Sequence, residues 1–240
     1  MENLLFYDIE VTAFDSLVVF MDINKNEVAH FWNNRDRKDI SDPTGFEGIP
    51  DLIDGKTLVG YNNYFYDDHI LTRMMNGAMS QQTLKIVNDQ IIRGEGDGMK
   101  VSELIDSLDT MQQIDVSHPS LKQIEGNMGI SIVESSIDFD IGRPLTDEER
   151  DEMLQYCRHD VSATVDIYKL RRKSYFEVKE GLCRMLPENV PDTAYRWNTT
   201  TMAANVLLKD EKRLNQWQTI SKDVKEKYWR NVQGIPSEVW

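Results

Sequence analysis

Cysteine is nearly absent from this chain of 240 residues. The two present, Cys157 and Cys183, are too few and too far apart for a disulfide framework or a zinc knuckle. A reducing cytoplasm suits them. Long apolar runs are missing as well: the longest are of strand length, well short of the ~20 residues of a membrane span. No basic stretch at the N-terminus leads into an apolar core and a small-residue cleavage site. The chain is therefore expected to be soluble and cytoplasmic, with no membrane partner. Positive charge is scarce too. Lys and Arg total 27 against 41 Asp and Glu, a net charge of −14. That excludes a broad basic coat for non-specific nucleic-acid binding. It does not exclude an enzyme acting on nucleic acid, because clustered carboxylates can hold divalent cations that face the phosphate. One basic run, Lys169-Leu170-Arg171-Arg172-Lys173, suits either a solvated helix end or a DNA contact. Internal repeats and low-complexity tracts are absent.

What is there begins with strands. Leu4 to Val11, Ser16 to Ile23 and Val28 to Trp32 are short β-rich runs separated by turn residues, which predicts an antiparallel meander. Leu58-Val59-Gly60-Tyr61-Asn62 reads as a buried strand leading into a helix from Asp67 to Met75. Further helices are expected over Thr83 to Ile92 and over Ser120 to Met128, the latter N-capped by Ser120 and stopped by Gly129. Gly94 to Gly98 reads as a loop, and Leu104 to Asp109 as a short strand or a helix end. Thr146 to Lys173 is the strongest helix, opened by the capping box Thr146-Asp147-Glu148-Glu149. Strands followed by mixed strands and helices predict an α/β domain on a mixed sheet. After about Tyr175 the character changes: Pro187 and Pro191 interrupt the chain, and Trp197, Trp217, Trp229 and Trp240 sit among charged helical stretches.

Three acidic groupings stand out. Asp8 and Glu10 are two apart on a strand, so both carboxylates leave the same face. Buried beside an apolar run they need compensation, and Mg²⁺ or Mn²⁺ would supply it; on an exposed edge strand they would simply face water. Gly60-Tyr61-Asn62-Asn63-Tyr64-Phe65-Tyr66-Asp67-Asp68 is a strand end running into an acidic helix start. Asp67 and Asp68 fit a helix cap as well as a cation site. Tyr64, Phe65 and Tyr66 beside two asparagines fit base stacking as well as core packing. In Tyr156-Cys157-Arg158-His159-Asp160, the tyrosine and the aspartate are four apart and share a helix face. His30, His69, His118 and His159 read as surface or packing histidines.

In this order and spacing the three groupings resemble the motifs of the DEDD superfamily of 3′→5′ exonucleases, which have a ribonuclease H-like fold. Asp8-Ile9-Glu10 looks like the first motif, Asn62 or Asn63 with Tyr66-Asp67 like the second, and Tyr156-x-x-x-Asp160 like the third. The histidine form of the third motif would need histidine at position 155, which is Gln155, so the tyrosine subclass is favoured. Within the superfamily the chain is most similar to the proofreading exonuclease region of phage family B DNA polymerases. Ser120-Leu121-Lys122 adds to that likeness, while Tyr66 stands where phenylalanine is usual. The resemblance covers about residues 1–174. It does not reach a polymerase, whose palm motifs are missing and are not replaced by Asp192 or Asp210. The start of the chain, almost on the first motif, leaves no room for a polymerase ahead of it.

The resemblance implies an exonuclease domain over 1–174 and a helical extension over 175–240, either a docking segment or the start of a polymerase region. It implies hydrolysis of single-stranded DNA 3′ ends to nucleoside monophosphates, in proofreading or replication, in the cytoplasm of a phage-infected bacterial host. Two Mg²⁺ or Mn²⁺ ions, about 3.5–4 Å apart, would be held by Asp8 as bridge, by Glu10 and Asp160 on one side, and by Asp67 on the other. Tyr156 would orient the attacking water. Thr12, Asn62 and Phe65 would contact the strand, with Asn63 competing for the role of Asn62. Other readings are a 3′→5′ exoribonuclease, a module recruiting a DNA polymerase or other replication protein, and the front piece of a split polymerase.

Overall fold

The computed structural model describes residues 3–33, 45–77, 79–96, 98, 100–112, 114, 118–186 and 192–208. The chain divides into two compact units, Met1–Lys173 and Ser174–Trp240.

In the first unit, β1 (Leu4–Val11), β2 (Ser16–Met21) and β3 (Glu27–Trp32) form the antiparallel meander read from the sequence. The first turn is closed by Thr12, whose hydroxyl donates to the Asp15 carbonyl and accepts from the Asp15 amide, both at 3.0 Å. In the second turn the Asp22 carboxylate accepts from the Asn24 and Asn26 amides, as short polar turn residues do. β4 (Thr57–Gly60) and β5 (Asp106–Asp109) then add parallel to β1, giving the order β3-β2-β1-β4-β5. A mixed five-stranded sheet with helices against it is an α/β architecture, consistent with the ribonuclease H-like fold. The stretch from Leu104 resolves as a strand, not a helix end. It starts at Asp106, where Thr57 Oγ1 donates to the Asp106 carboxylate across the pair at 2.8 Å.

Every residue of β2 is buried, because a strand covered on both faces needs an unbroken apolar run. β1 shows how its two faces are sorted. Leu5, Tyr7, Ile9 and Val11 enter a core with Val18 and Phe20 of β2. That core is filled from α1 (Ile49–Ile53), α2 (Asp67–Met74) and α3 (Gln81–Ile92) by Ile49, Ile53, Ile70, Leu71 and Leu84. Phe6, Asp8 and Glu10 take the other parity. On that face lies α5 (Asp147–Arg171), with Tyr168 packed edge-on to Phe6 at 5.4 Å. Removing a ring such as Phe6 would cost about 3–5 kcal/mol.

Helix ends follow the sequence closely. Ser80 caps α3, which starts two residues before the expected Thr83. Ser120 and Thr146 close capping boxes with Gln123 and Glu149 on α4 (Leu121–Met128) and α5, and Gly129 ends α4 at φ +70°. The helix α1, preceded by Gly48 and carrying Pro50 in its first turn, was not anticipated.

A π-helical turn, Arg172–Phe176, leads out of α5. The second unit contains α6 (Glu177–Cys183), a 3₁₀ turn at Asp192–Arg196 that includes the first of the lone aspartates, and α7 (Thr199–Leu208). Its described part is thus helical, and Trp197 follows the 3₁₀ turn. Asp210, Trp217, Trp229 and Trp240 lie outside the described residues. Among the described residues no helix is long and apolar enough to cross a membrane.

Candidate active site

Asp8 and Glu10 leave β1 on the α5 face, Asp67 opens α2, and Asp160 sits midway along α5. All four line one cleft of about 730 Å³, together with Asn62, Phe65, Tyr66 and the segment His118–Leu121. Asp67 and Asp160 are buried, and Asp8 and Glu10 are partly exposed to the cleft. Elements far apart in sequence therefore converge their carboxylates on one cleft. Tyr156 lies on the wall of an adjoining groove of about 620 Å³, which shares Ile9, Glu10 and Tyr66 with the cleft.

The electrostatic cost is visible in every acid. Burial and the Asp160 charge push the Asp8 carboxyl up to about 8. Glu10 is raised by burial and then by Asp8, Asp160 and Asp67, and Asp67 by burial, Asp8 and Asp68. Asp160 is raised by burial in spite of Lys122, whose ammonium binds its Oδ1. Burial and the Asp160, Glu10 and Asp8 charges hold the Tyr156 phenol firmly protonated. Like charges brought together in this way are relieved either by protons or by a cation. The donor set fits one, since hard oxygen ligands suit Mg²⁺ or Mn²⁺. Asp67 Oδ1 adds to the fit: it is buried and has no hydrogen-bond partner among the described residues.

Asp68 is different in kind. It is fully buried on the core side and accepts from Tyr7 Oη at 2.5 Å, Ser107 Oγ at 2.6 Å and Asn63 Nδ2 at 3.0 Å. Tyr66 holds the N-cap position of α2, so neither acid caps it, but both lie in its first turn, where their charge suits the helix dipole. The same contact separates the two asparagines. Asn63 is enclosed against Asp68 and Gly60, where a Cβ on Gly60 would come within 2.6 Å of Asn63 Cβ. Asn62, at φ +62°, lines the cleft, and its amide donates to Asp109 Oδ1 at 2.9 Å. Asn63 thus supports Asp68 and is not among the residues that line the cleft. Thr12 is likewise fully buried in its turn and is absent from the cleft wall. Phe65 is 69% exposed at the cleft, so the aromatic run is not all core packing. Tyr64 Oη donates to the Ser107 carbonyl and Tyr66 Oη to Asn88 Oδ1.

Sequence reading missed a layer behind the acids. From α4, Lys122 reaches Asp160, lies 4.6 Å from the centre of the Tyr156 ring, and sits 3.6 Å from the buried Glu125. Glu125 in turn lies with Oε1 3.0 Å from His159 Nε2, so His159 packs against this layer, in line with the packing alternative for that histidine. Asp109, pushed up to about 6 by burial, braces the opposite wall by accepting from the Asn62 and Met111 amides. Of the basic run, Arg171 donates to the Thr110 and Gln112 carbonyls, which makes it a structural tie. The helix α4 itself was expected from Ser120 and Gly129, but the only sequence signal tying Lys122 to the site was the Ser120-Leu121-Lys122 likeness.

No family model matches this chain, and no curated protein does either. Among solved structures, E. coli Exonuclease I in complex with a dT13 oligonucleotide overlaps 76% of this chain and 44% of its own, at 14% identity and a TM-score of 0.33. The overlap thus spans less than half of that protein's length. The α/β assignment rests on the strand order and direction described above.

Proposed function

We propose that this chain is a metal-dependent 3′→5′ exonuclease that hydrolyses single-stranded DNA ends to nucleoside monophosphates, in proofreading or another replication role. The site belongs to a domain spanning 1–174, with 175–240 as a helical extension. The observation that carries the reading is the convergence of Asp8, Glu10, Asp67 and Asp160 from three separate elements on one open cleft. They stand there with carboxyls raised by one another, as a cation site requires and a folding core does not.

Bound divalent cations would supply the charge that neutralises the phosphate and the acidity that makes a water nucleophilic at neutral pH. The protein's part is to hold and orient. Asp8, Glu10, Asp67 and Asp160 offer oxygen ligands from rigid elements, so the ligand geometry is set before substrate arrives. Tyr156, kept as a neutral phenol, cannot act as base at physiological pH; its hydroxyl positions the attacking water. Lys122 draws Asp160 and the tyrosine ring together. Phe65 gives a base an exposed face to stack on, and Asn62 offers an amide beside it.

Asp8→Ala tests the assignment. It should abolish digestion of a 3′-ended oligonucleotide in Mg²⁺ while the fold is kept or made slightly more stable, since one mutually repelled acid is gone. Digestion at the parent's rate would defeat the proposal. Matched DNA and RNA oligonucleotides separate the exonuclease reading from the exoribonuclease one.

A further inference from the structure

We propose that Cys157, buried behind the carboxylate cleft, offers a sulfur ligand beside Asp8 and Glu10, so that soft divalent cations of the zinc and cadmium type bind between Asp8, Glu10 and Cys157 and displace harder ions. The consequence, inhibition of hydrolysis, rests on the function proposed above; the binding does not.

Cys157 is fully buried on the sheet-facing side of α5, one residue past Tyr156. Its Sγ lies 3.5 Å from the Asp8 carbonyl and 3.6 Å from Asp8 Oδ2. A thiol is a weak donor, so this contact does little to offset a buried acid. Ligand atoms of Asp8, Glu10 and Cys157 all lie within 4.8 Å of one another. In a tetrahedral site with Zn–S of about 2.3 Å and Zn–O of about 2.1 Å, sulfur and oxygen stand about 3.6 Å apart. That is the separation already present between Sγ and Asp8 Oδ2. A cation replacing the thiol proton therefore meets this donor pair without moving it. The S–H bond breaks, its proton leaves to solvent, and a sulfur–metal bond forms with no change of oxidation state.

The cleft in front of this donor group is itself short of positive charge. Asp67 Oδ1, on the same cleft, is buried without a hydrogen-bond partner among the described residues. It is an oxygen in need of a positive neighbour. Entry is through the cleft, which Asp8 and Glu10 line directly. Selectivity follows from softness. Mg²⁺ demands octahedral oxygen ligands and keeps its waters, so it leaves the sulfur unused. Zinc and cadmium gain from thiolate and bind more tightly. Cys183 belongs to no such donor group among the described residues and serves as an internal control.

The test is titration of metal-free protein with Cd²⁺ and with Co²⁺, read by sulfur-to-metal charge-transfer absorption. The parent and Cys183→Ser should both show the band, and the near-isosteric Cys157→Ser should lose it while keeping the parent's melting curve. Excess Mg²⁺ should weaken the band. In Mg²⁺-supported digestion, the Zn²⁺ concentration giving half inhibition should rise about tenfold or more in Cys157→Ser. Absence of the band in the parent, its persistence in Cys157→Ser, or its loss in Cys183→Ser would each overturn the proposal. A band in a protein that digests no DNA supports the sulfur ligand and sinks the exonuclease reading. Digestion without a band does the reverse.

Discussion

Asp67 and Asp68 are adjacent in sequence and live in opposite surroundings. Asp68 points into the core side of the sheet, where Tyr7, Ser107 and Asn63 donate to it at 2.5, 2.6 and 3.0 Å. Asp67 faces the cleft with Asp8 as its strongest like-charged neighbour and one oxygen without a hydrogen-bond partner among the described residues. Both are buried, so burial does not tell them apart. The donors do. A buried carboxylate surrounded by hydroxyl and amide donors holds the fold together; one surrounded by other carboxylates is what the proposed cation site calls for.

Exchanging the two phenotypes is the strongest way to break this comparison. Asp67→Ala should cut Mg²⁺-dependent digestion severely and leave stability equal or higher. Asp68→Ala should strand the hydroxyls of Tyr7 and Ser107 and the Asn63 amide, at a cost of about 3 kcal/mol in urea denaturation. Opposite results would mean that the roles are assigned to the wrong residue. A smaller effect is expected on the neighbouring helix. Tyr156→Phe should slow turnover about 10- to 100-fold and leave divalent-ion binding intact; weakened ion binding would make the tyrosine a support for the ligands instead.

The smallest effect concerns pH. The fold raises the Asp8 carboxyl to about 8, from about 3.9 in an unfolded chain. Below the lower value both states are protonated and nothing is lost. As pH climbs toward 8 the unfolded chain ionises freely while the folded one resists, so stability falls. Glu10, Asp67 and Asp160 are raised as well and act in the same direction. Glu149, held down to about 2 by Arg143 and the Thr146 amide, acts oppositely, but only at lower pH. In EDTA, stability should therefore drop by about 1 kcal/mol or more between about pH 5 and pH 8, and Mg²⁺ should remove most of the drop. A flat profile in EDTA would show that the acids are better compensated than the cleft suggests.

Much of this was legible in the sequence because it depends on local periodicity. The two-residue alternation of Asp8 and Glu10 sets their common face, and the four-residue spacing of Tyr156 and Asp160 sets theirs. The N-cap at Ser120 and the capping box at Thr146 marked their helices correctly. The choice of Asp67 over Asp68 rested on the resemblance alone, and that between Asn62 and Asn63 was not legible. Both depend on the turn after Gly60 and on Tyr7 and Ser107, which lie 61 and 39 residues from Asp68. Lys122 and Glu125 escaped for the same reason. They meet Asp160 and His159 across the gap between two helices, and no spacing rule reaches that far.

The central claim is that the cleft acids hold cations for cleavage at a 3′ end. It is tested most directly by digesting single-stranded DNA labelled at either its 3′ or its 5′ end, in Mg²⁺, Mn²⁺ and EDTA. The account predicts immediate release of a labelled mononucleotide from the 3′-labelled strand, stepwise shortening of the 5′-labelled one, and no reaction in EDTA. Mononucleotide released first from the 5′ end, or digestion that persists in EDTA, would contradict it.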